Sequence, residues 1–158
     1  VINASGRTRA WQVTTDSWLE SPWLGKGAGS AAHVLAESGI WLEHPHNEYL
    51  RFLHDYGIVG LCLWLWGYGA LMIACYRLWF NTKKRHQGVP WVHQWAFLSL
   101  VGMALMAITD NNFVYLFCMG PLGLITGTSL AAARTLSPAS AVKQSPISTK
   151  SSFRSGVP

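Results

Sequence analysis

The chain has 158 residues, of which 50% are hydrophobic and 12% are charged, and it contains nine tryptophans. This composition is too apolar for an ordinary small soluble domain and is typical of a membrane protein with aqueous loops. The net charge of +5 is not concentrated on an element that would read a nucleic-acid groove, which argues against nucleic-acid binding. The three cysteines lie far apart in apolar runs, as expected of packing residues and not of a disulfide or a metal site.

The first 56 residues are amphipathic and lack a spanning segment. Their pattern predicts a helix over Arg7–Leu19, a loop over Pro22–Ser30 and a second helix that starts at His44-Pro45. On the second helix, His46 would head an apolar stripe that faces the membrane. The wetter face would carry Glu48, Arg51 and Asp55, and His54 would be a surface residue. Because the chain starts without an initiator Met or a signal-peptide pattern, we expect it to be the C-terminal part of a longer protein.

Three apolar segments follow and predict an all-α, polytopic integral membrane protein. The clearest is Ile58–Phe80, about 34 Å long as a helix and carrying Arg77 as its only charge. The other spans are Trp91–Thr109 and Phe113–Ala133, the latter with a kink expected at Gly120-Pro121. The chain is thereby divided into an extracytoplasmic loop at 1–56, a three-span region at 57–133 and a disordered cytoplasmic tail at 134–158.

The basic residues between the first two spans set the predicted orientation. The polar loop Asn81–Gly88 carries three of them in a row and would share a side with the basic tail. The positive-inside rule places that side in the cytoplasm. The loop over 1–56 and the turn that contains Asp110 would then face the extracytoplasmic side, where nucleotide sugars are absent.

The pair His46-Asn47, which precedes the first span, is the first candidate for chemistry. An imidazole near neutrality can take a proton from an attacking hydroxyl, and a general base contributes roughly 10²–10⁴-fold in rate. Asn47 would orient the ring or bind a sugar hydroxyl. Two alternatives stay open from the spacing alone: a capping or interfacial histidine, and a metal site with His44 that lacks a third ligand.

Two further groups qualify as binding residues. Arg7 and Arg9 offer planar guanidinium groups to phosphate oxygens, and Trp11 can stack on a sugar or lie at the membrane interface. Asp110, in the polar turn between the last two spans, would be a functional acid or the partner of an arginine. The respective alternatives are a solvated basic turn and a plain interfacial turn.

The glycine-rich segment Gly25–Ser30 has the pattern Gly-x-Gly-x-Gly-Ser. Its backbone amides would suit a phosphate group. Its spacing, however, matches neither a Walker loop nor a dinucleotide-binding fingerprint. The segment is therefore interpreted as a flexible turn.

In chain order, these motifs resemble those of the O-antigen ligase and polymerase family. The residues that carry the resemblance are Ser5-Gly6-Arg7-x-x-x-Trp11, Ser21-Pro22-Trp23-Leu24-Gly25-x-Gly27-x-Gly29 and His46-Asn47-x₉-Gly57-x-x-Gly60. The Asp110 turn between the last two spans also resembles the C-terminal end of that family. The resemblance leaves only the tail of the chain outside it.

The resemblance implies a glycosyltransferase of the bacterial inner membrane that needs no metal and no cofactor and acts in polysaccharide or lipopolysaccharide biosynthesis. Its donor would be a glycan on a polyprenyl diphosphate such as undecaprenyl diphosphate, and its acceptor hydroxyl would belong to a glycan or a lipid core, with membrane lipids around both. Arg7 would grip the donor diphosphate, and His46 would be the general base on the acceptor. The family has more spans than this chain, which alone would be inactive, and the short segment between Gly29 and His46 leaves little room for an acceptor platform.

A non-enzymatic alternative is a transporter or flippase component for the same lipid-linked glycan. Such a protein would need intramembrane charges or broken helices along a path. Only the Gly120-Pro121 kink fits this, because the spans are almost free of charge. A third interpretation is a structural membrane segment whose histidine anchors the interface. Both alternatives predict that His46 and Arg7 are replaceable.

Overall fold

The structure, a computed structural model, describes residues 5–85 and 88–135 and is helical throughout its regular elements in these ranges. The expected all-α class is therefore confirmed for this part of the chain. The tail predicted at 134–158 falls outside the described residues from position 136 onward. The helices are α1 (Ser5–Trp18), α2 (Ser30–Glu37), α3 (Glu48–Arg85), α4 (Pro90–Met106) and α5 (Leu116–Thr135), with a turn of 3₁₀-helix at Asn112–Val114.

Helix α3 is interrupted at Gly57, whose backbone has φ 66° and ψ −172°. A loop after α1 fills this break: the Ile58 N–H donates to the Pro22 carbonyl at 2.9 Å, and the Val59 N–H donates to the Trp23 carbonyl at 3.2 Å. A Cβ atom at Gly57 would lie 2.3 Å from the Trp23 oxygen. Both the positive φ and the close approach therefore require glycine at this position.

The three long helices pack side by side with alternating direction. At one end, the Glu48 N–H donates to the Ala107 carbonyl at 2.8 Å, so the turn after α4 lies beside the start of α3. At the other end, His93 Nδ1 and Ser129 Oγ are 2.8 Å apart and join the start of α4 to α5. A small apolar core fills the space between them: Cys75, Ala96, Leu100 and Leu122.

Two of these helices are long and apolar enough to cross a membrane, α3 and α5. Only 6% of the 18-residue apolar stretch of α3 and 17% of that of α5 are buried inside the described structure. A core helix of a soluble protein would be mostly buried, so this exposure favours a lipid environment. Helix α4 has 17 residues and is about 25 Å long, which is shorter than a hydrocarbon core of about 30 Å. Three spans therefore stay a prediction.

The boundaries of α3 differ from the prediction at both ends. The helix begins at Glu48 and not at His44-Pro45, because the Asn47 side-chain oxygen accepts the Leu50 N–H at 3.0 Å and caps it. At the far end, α3 continues through Lys83, Lys84 and Arg85, where a loop was predicted. Lysine and arginine are good helix formers, and their charge suits the C-terminal end of the helix dipole.

Candidate functional site

His46 and Asp110 meet at the end of the helices where α3 begins. Their Nδ1 and Oδ1 atoms are 3.3 Å apart, although the two residues are 64 positions apart in the chain. His46 lies outside α3, and its φ of 52° makes it the one non-glycine residue with positive φ in the described part of the chain. The prediction that His46 heads an apolar stripe on a helix was therefore wrong. A left-handed backbone at a non-glycine residue is costly and is concentrated at functional sites.

The charge on Asp110 is stabilised from three directions. The Asn111 backbone N–H, at 2.8 Å from Oδ1, holds the pKa of the Asp110 carboxyl below its usual value, and partial burial opposes this effect. The contact with His46 and the positive charge of Arg7 lower this pKa further. Asp110 is thus ionised at neutral pH and can accept a hydrogen bond from the Nδ1–H of His46. Because Nδ1 then carries the hydrogen, Nε2 is left with a lone pair.

The three predicted binding residues on helix α1 interact with different parts of the chain. Trp11 Nε1 donates to the Pro45 carbonyl at 2.6 Å, which ties α1 to the residue that precedes His46. The positive charge of Arg7 lowers the pKa of the Asp110 carboxyl. Arg9 instead donates through Nη2 to the Ser38 carbonyl at 3.3 Å, at the end of α2. Arg7 thus acts on the Asp110 carboxylate through its charge, whereas Arg9 makes its hydrogen bond to the end of α2.

A buried network of charged side chains lies next to the His46–Asp110 pair. Glu48 is fully buried, forms an ion pair with Arg51 and accepts from Asn111 Nδ2 at 2.9 Å. Arg51 also lies 3.5 Å from a carboxylate oxygen of Asp55, which is 1% exposed. The prediction that these side chains line a wet face was therefore wrong. Their spacing of three and four residues does bring them together, but the face they share packs inward.

His54 was expected at the surface and is fully buried. Its Nε2 lies 3.0 Å from Ser17 Oγ on α1, and its Nδ1 lies 3.2 Å from both Ser30 Oγ and Asp55 Oδ1. These partners come from three different helices, so the imidazole is satisfied inside the fold despite its polarity. The buried histidine joins α1, α2 and α3.

The glycine-rich segment uses its amides within the chain. The Gly27 N–H donates to the Asp55 carbonyl at 2.9 Å, and the N–H groups of Gly29 and Ala31 donate to the Asp55 carboxylate at 3.0 Å each. Asp55 thereby stabilises the N-terminal end of α2. Because these amides already have acceptors, they are not a phosphate cradle, and the segment is an ordered connection and not a flexible turn.

The metal-site alternative with His44 receives no support in the described ranges 5–85 and 88–135. No group of three or more His, Cys, Asp or Glu side chains there is arranged to hold a metal ion. What the His46 arrangement offers is a nitrogen base oriented by a carboxylate, with a guanidinium group nearby. Such a set can remove a proton from a hydroxyl and stabilise a nearby anion.

Sequence reasoning named His46, Arg7 and Asp110 as candidates but did not predict the network of buried polar contacts around them. It missed the roles of Glu48, His54 and Asp55, whose partners Asn111, Ser17 and Ser30 are distant in the chain. One signal was present. Three charged residues follow one another at helical spacing just before an apolar span, where a charged face needs either water or internal partners.

The amino-acid sequence of the chain is similar to those of known proteins. The family model described as O-antigen ligase matches residues 2–65, which confirms the resemblance seen in the motifs. The chain is 30% identical over 111 residues to an O-antigen ligase of Pseudomonas aeruginosa, an alignment that covers 70% of this chain and 26% of that protein. The chain therefore spans about a quarter of the length of this curated relative. No solved structure matches the chain.

Proposed function

We propose that this chain, which matches the O-antigen ligase family over residues 2–65, forms part of a membrane glycosyltransferase that transfers or polymerises glycan. The donor is a glycan on a polyprenyl diphosphate, and the acceptor is a hydroxyl of another glycan or of a lipid core. The enzyme lies in the bacterial inner membrane with the His46 end of the helices on the extracytoplasmic side. It acts without a metal ion.

The observation that carries the proposal is the contact between His46 Nδ1 and Asp110 Oδ1, at a carboxylate whose pKa is also lowered by the positive charge of Arg7. The ionised carboxylate accepts a hydrogen bond from the Nδ1–H and so fixes the tautomer in which Nε2 is the base. The guanidinium group supplies the positive charge that a diphosphate needs. Base and cation are thus at the same end of the helices, as a transfer from a diphosphate donor requires.

The reaction then follows in one displacement. Nε2 of His46 takes the proton of the acceptor hydroxyl as its oxygen bonds to the anomeric carbon of the donor glycan. The bond between that carbon and the diphosphate oxygen breaks, and its electron pair leaves with the polyprenyl diphosphate. Arg7 stabilises the charge that develops on the leaving group. A diphosphate is already a competent leaving group, so positioning and charge stabilisation supply most of the rate.

The test is glycan transfer by the intact protein that contains this chain, purified in detergent and supplied with polyprenyl-diphosphate glycan but without nucleotide sugar or metal. His46→Ala should lower the rate roughly 10²–10⁴-fold, because the base is removed. His44→Ala, two residues earlier, is the matched control and should transfer normally. Normal transfer by His46→Ala would disprove the assignment of the base.

A second pair of variants separates positioning from donor binding. Asp110→Asn should lower the rate roughly ten- to hundredfold, which corresponds to the loss of one charge-assisted hydrogen bond of about 1.5–3 kcal/mol. Arg7→Ala should chiefly raise the donor concentration needed for half-maximal rate. If Arg7→Ala leaves donor binding and turnover unchanged, Arg7 does not contact the diphosphate. If a folded intact protein moves the lipid-linked glycan across a bilayer but transfers none, the transporter hypothesis replaces this proposal.

A further inference from the structure

A cavity of about 660 Å³ lies between α2 and the segment that leads from α2 to His46. Its walls include small apolar residues of α2, such as Ala32 and Ala36, and Leu42 from the segment that follows. Trp41 also lines it and is 100% exposed, so none of its ring surface is covered by the rest of the chain. A cavity of this size is in the range that holds small-molecule ligands.

The polar groups of this cavity indicate the chemistry of its ligand. His33 and Glu43 are exposed side chains on its wall, one able to donate or accept and the other able to accept hydrogen bonds. No lysine or arginine is among the residues that line it in the described part of the chain. A carboxylate without a compensating cation disfavours a phosphate or diphosphate. A purely hydrocarbon ligand would make no use of the hydrogen-bonding groups of Glu43 and His33.

The combination of an open indole ring with scattered hydrogen-bonding groups suits a sugar. A pyranose ring has an apolar face that can pack on an aromatic surface, and its hydroxyls bond to carboxylate and imidazole groups at the edge. Tryptophan is also one of the residue types that contribute most to binding energy at protein interfaces. The cavity thus complements an uncharged, hydroxyl-rich ring.

The position of the cavity relates it to the proposed reaction. Glu43 is three residues before His46, so their Cα atoms are at most about 11 Å apart. The connecting Pro45 is fixed to α1 through its bond with Trp11, and the end of α2 is fixed to α1 through the contact of Arg9 with Ser38. The cavity and the imidazole are therefore held close together by the same short segment.

We propose that this cavity binds a sugar unit of the acceptor glycan, with Trp41 as the platform on which the ring packs and Glu43 and His33 as hydrogen-bonding partners. The role as an acceptor site depends on the proposed function, whereas the binding of a neutral sugar does not. The segment between Gly29 and His46, expected from the sequence to leave little room for an acceptor, contains the site.

The test uses the intact protein in detergent and fluorescently labelled trisaccharides of a neutral hexose and of N-acetylhexosamine, with binding followed by fluorescence anisotropy. Trp41→Ala should raise the dissociation constant about tenfold or more, and Trp41→Phe should have a smaller effect because a ring remains. The matched control is Trp23→Ala, since Trp23 is 66% exposed in the neighbouring loop and does not line the cavity. Inorganic diphosphate should not displace the trisaccharide.

Three results would overturn the proposal: no binding of either trisaccharide, equal affinity in the protein and in Trp41→Ala, or displacement by diphosphate. A transfer assay separates this proposal from the proposed function. If Trp41→Ala weakens trisaccharide binding while His46→Ala still transfers glycan normally, the sugar site stands and the base assignment fails. If the protein transfers glycan and Trp41→Ala leaves the acceptor concentration for half-maximal rate unchanged, the cavity is not the acceptor site.

Discussion

The parts of α3 before and after Gly57 differ in which side chains they bury and which they expose. Before Gly57, the charged residues Glu48 and Asp55 are buried and paired within the chain. After Gly57, large apolar side chains point outward, among them Leu63 at 59% and Trp66 at 76% exposure. In water this distribution would be inverted. One helix therefore serves two environments, with polar interactions that hold the site and an apolar surface that suits lipid.

The first way to break this comparison is to remove a buried charge. In Asp55→Ala, the amides of Gly29 and Ala31 lose their acceptor and Arg51 loses a partner. Breaking a buried pair by removing one member typically costs about 3–5 kcal/mol. We expect the free energy of unfolding of the intact protein in detergent to fall by this amount.

The control for Asp55→Ala is Asp16→Ala on the exposed face of α1. Surface substitutions of this kind usually change stability by less than about 0.5 kcal/mol. If the two variants unfold at the same denaturant concentration, the polar half of α3 is not held by its buried charges.

The second way is to close the junction between the two parts. Gly57→Ala places a Cβ atom against the Trp23 carbonyl and forces alanine into a left-handed backbone. The backbone conformation alone costs about 1–2 kcal/mol, and the displaced loop adds to this loss of stability. Thermal unfolding in detergent measures the effect.

Gly67→Ala, in the apolar part of the same helix, is the matched control because a Cβ atom there meets nothing within 4 Å. Alanine is the better helix former by about 1 kcal/mol, so this variant should be as stable as the parent or more so. Similar destabilisation by both variants would show that Gly57 has no special conformation.

Acid should sharpen the comparison at Asp110, which contacts His46 just before the polar part of α3. Since the Asn111 N–H lowers the pKa of the folded carboxyl below its usual 3.8, its stabilising contribution is complete above about pH 3.8. It is lost as the pH falls through the folded pKa. We expect the Tm difference between Asp110→Asn and Asp110 to be constant near neutrality and to shrink in acid. A His46→Gln background removes the contribution of the imidazole, and a difference that vanished near neutrality would contradict this assignment.

The smallest effect is expected for an ion pair that belongs to neither region. Glu20 and Lys26 form a pair on the exposed loop, and Lys26 lowers the pKa of Glu20. Exposed pairs contribute little because water and salt screen them. Glu20→Gln should leave the Tm unchanged within error. A loss as large as that of Asp55→Ala would mean that burial does not decide which charges stabilise this protein.

The apolar helices were largely predictable from the sequence, and the packing of the polar part was not. Ile58–Phe80 is apolar on every face over a length that crosses a bilayer, so local composition is sufficient to recognise it. The short helix α2 was missed because its N-terminal end is stabilised by Asp55, which is 24 residues beyond Ala31. A local pattern contains no information about such a partner.

The candidate site shows the same division. His46, Arg7 and Asp110 were candidates from residue type and motif order alone, and their roles stay predictions. The contact between His46 and Asp110 was not predictable, because it depends on the antiparallel packing of α3 and α4. The burial of His54 was missed for a related reason. A histidine is usually exposed or half-exposed, and the hydroxyls that satisfy it come from two other helices.

The pairing of His46 with Asp110 also has a consequence for biosynthesis. The ribosome adds the aspartate 64 residues after the histidine, a delay of roughly 3–13 s at 5–20 residues per second. All of α3 and α4 is synthesised during that interval, before the two side chains can meet. A nascent polypeptide that stops within α4 therefore carries the imidazole without its orienting carboxylate. The contact between these two side chains can thus form only after the whole of α4 has been synthesised.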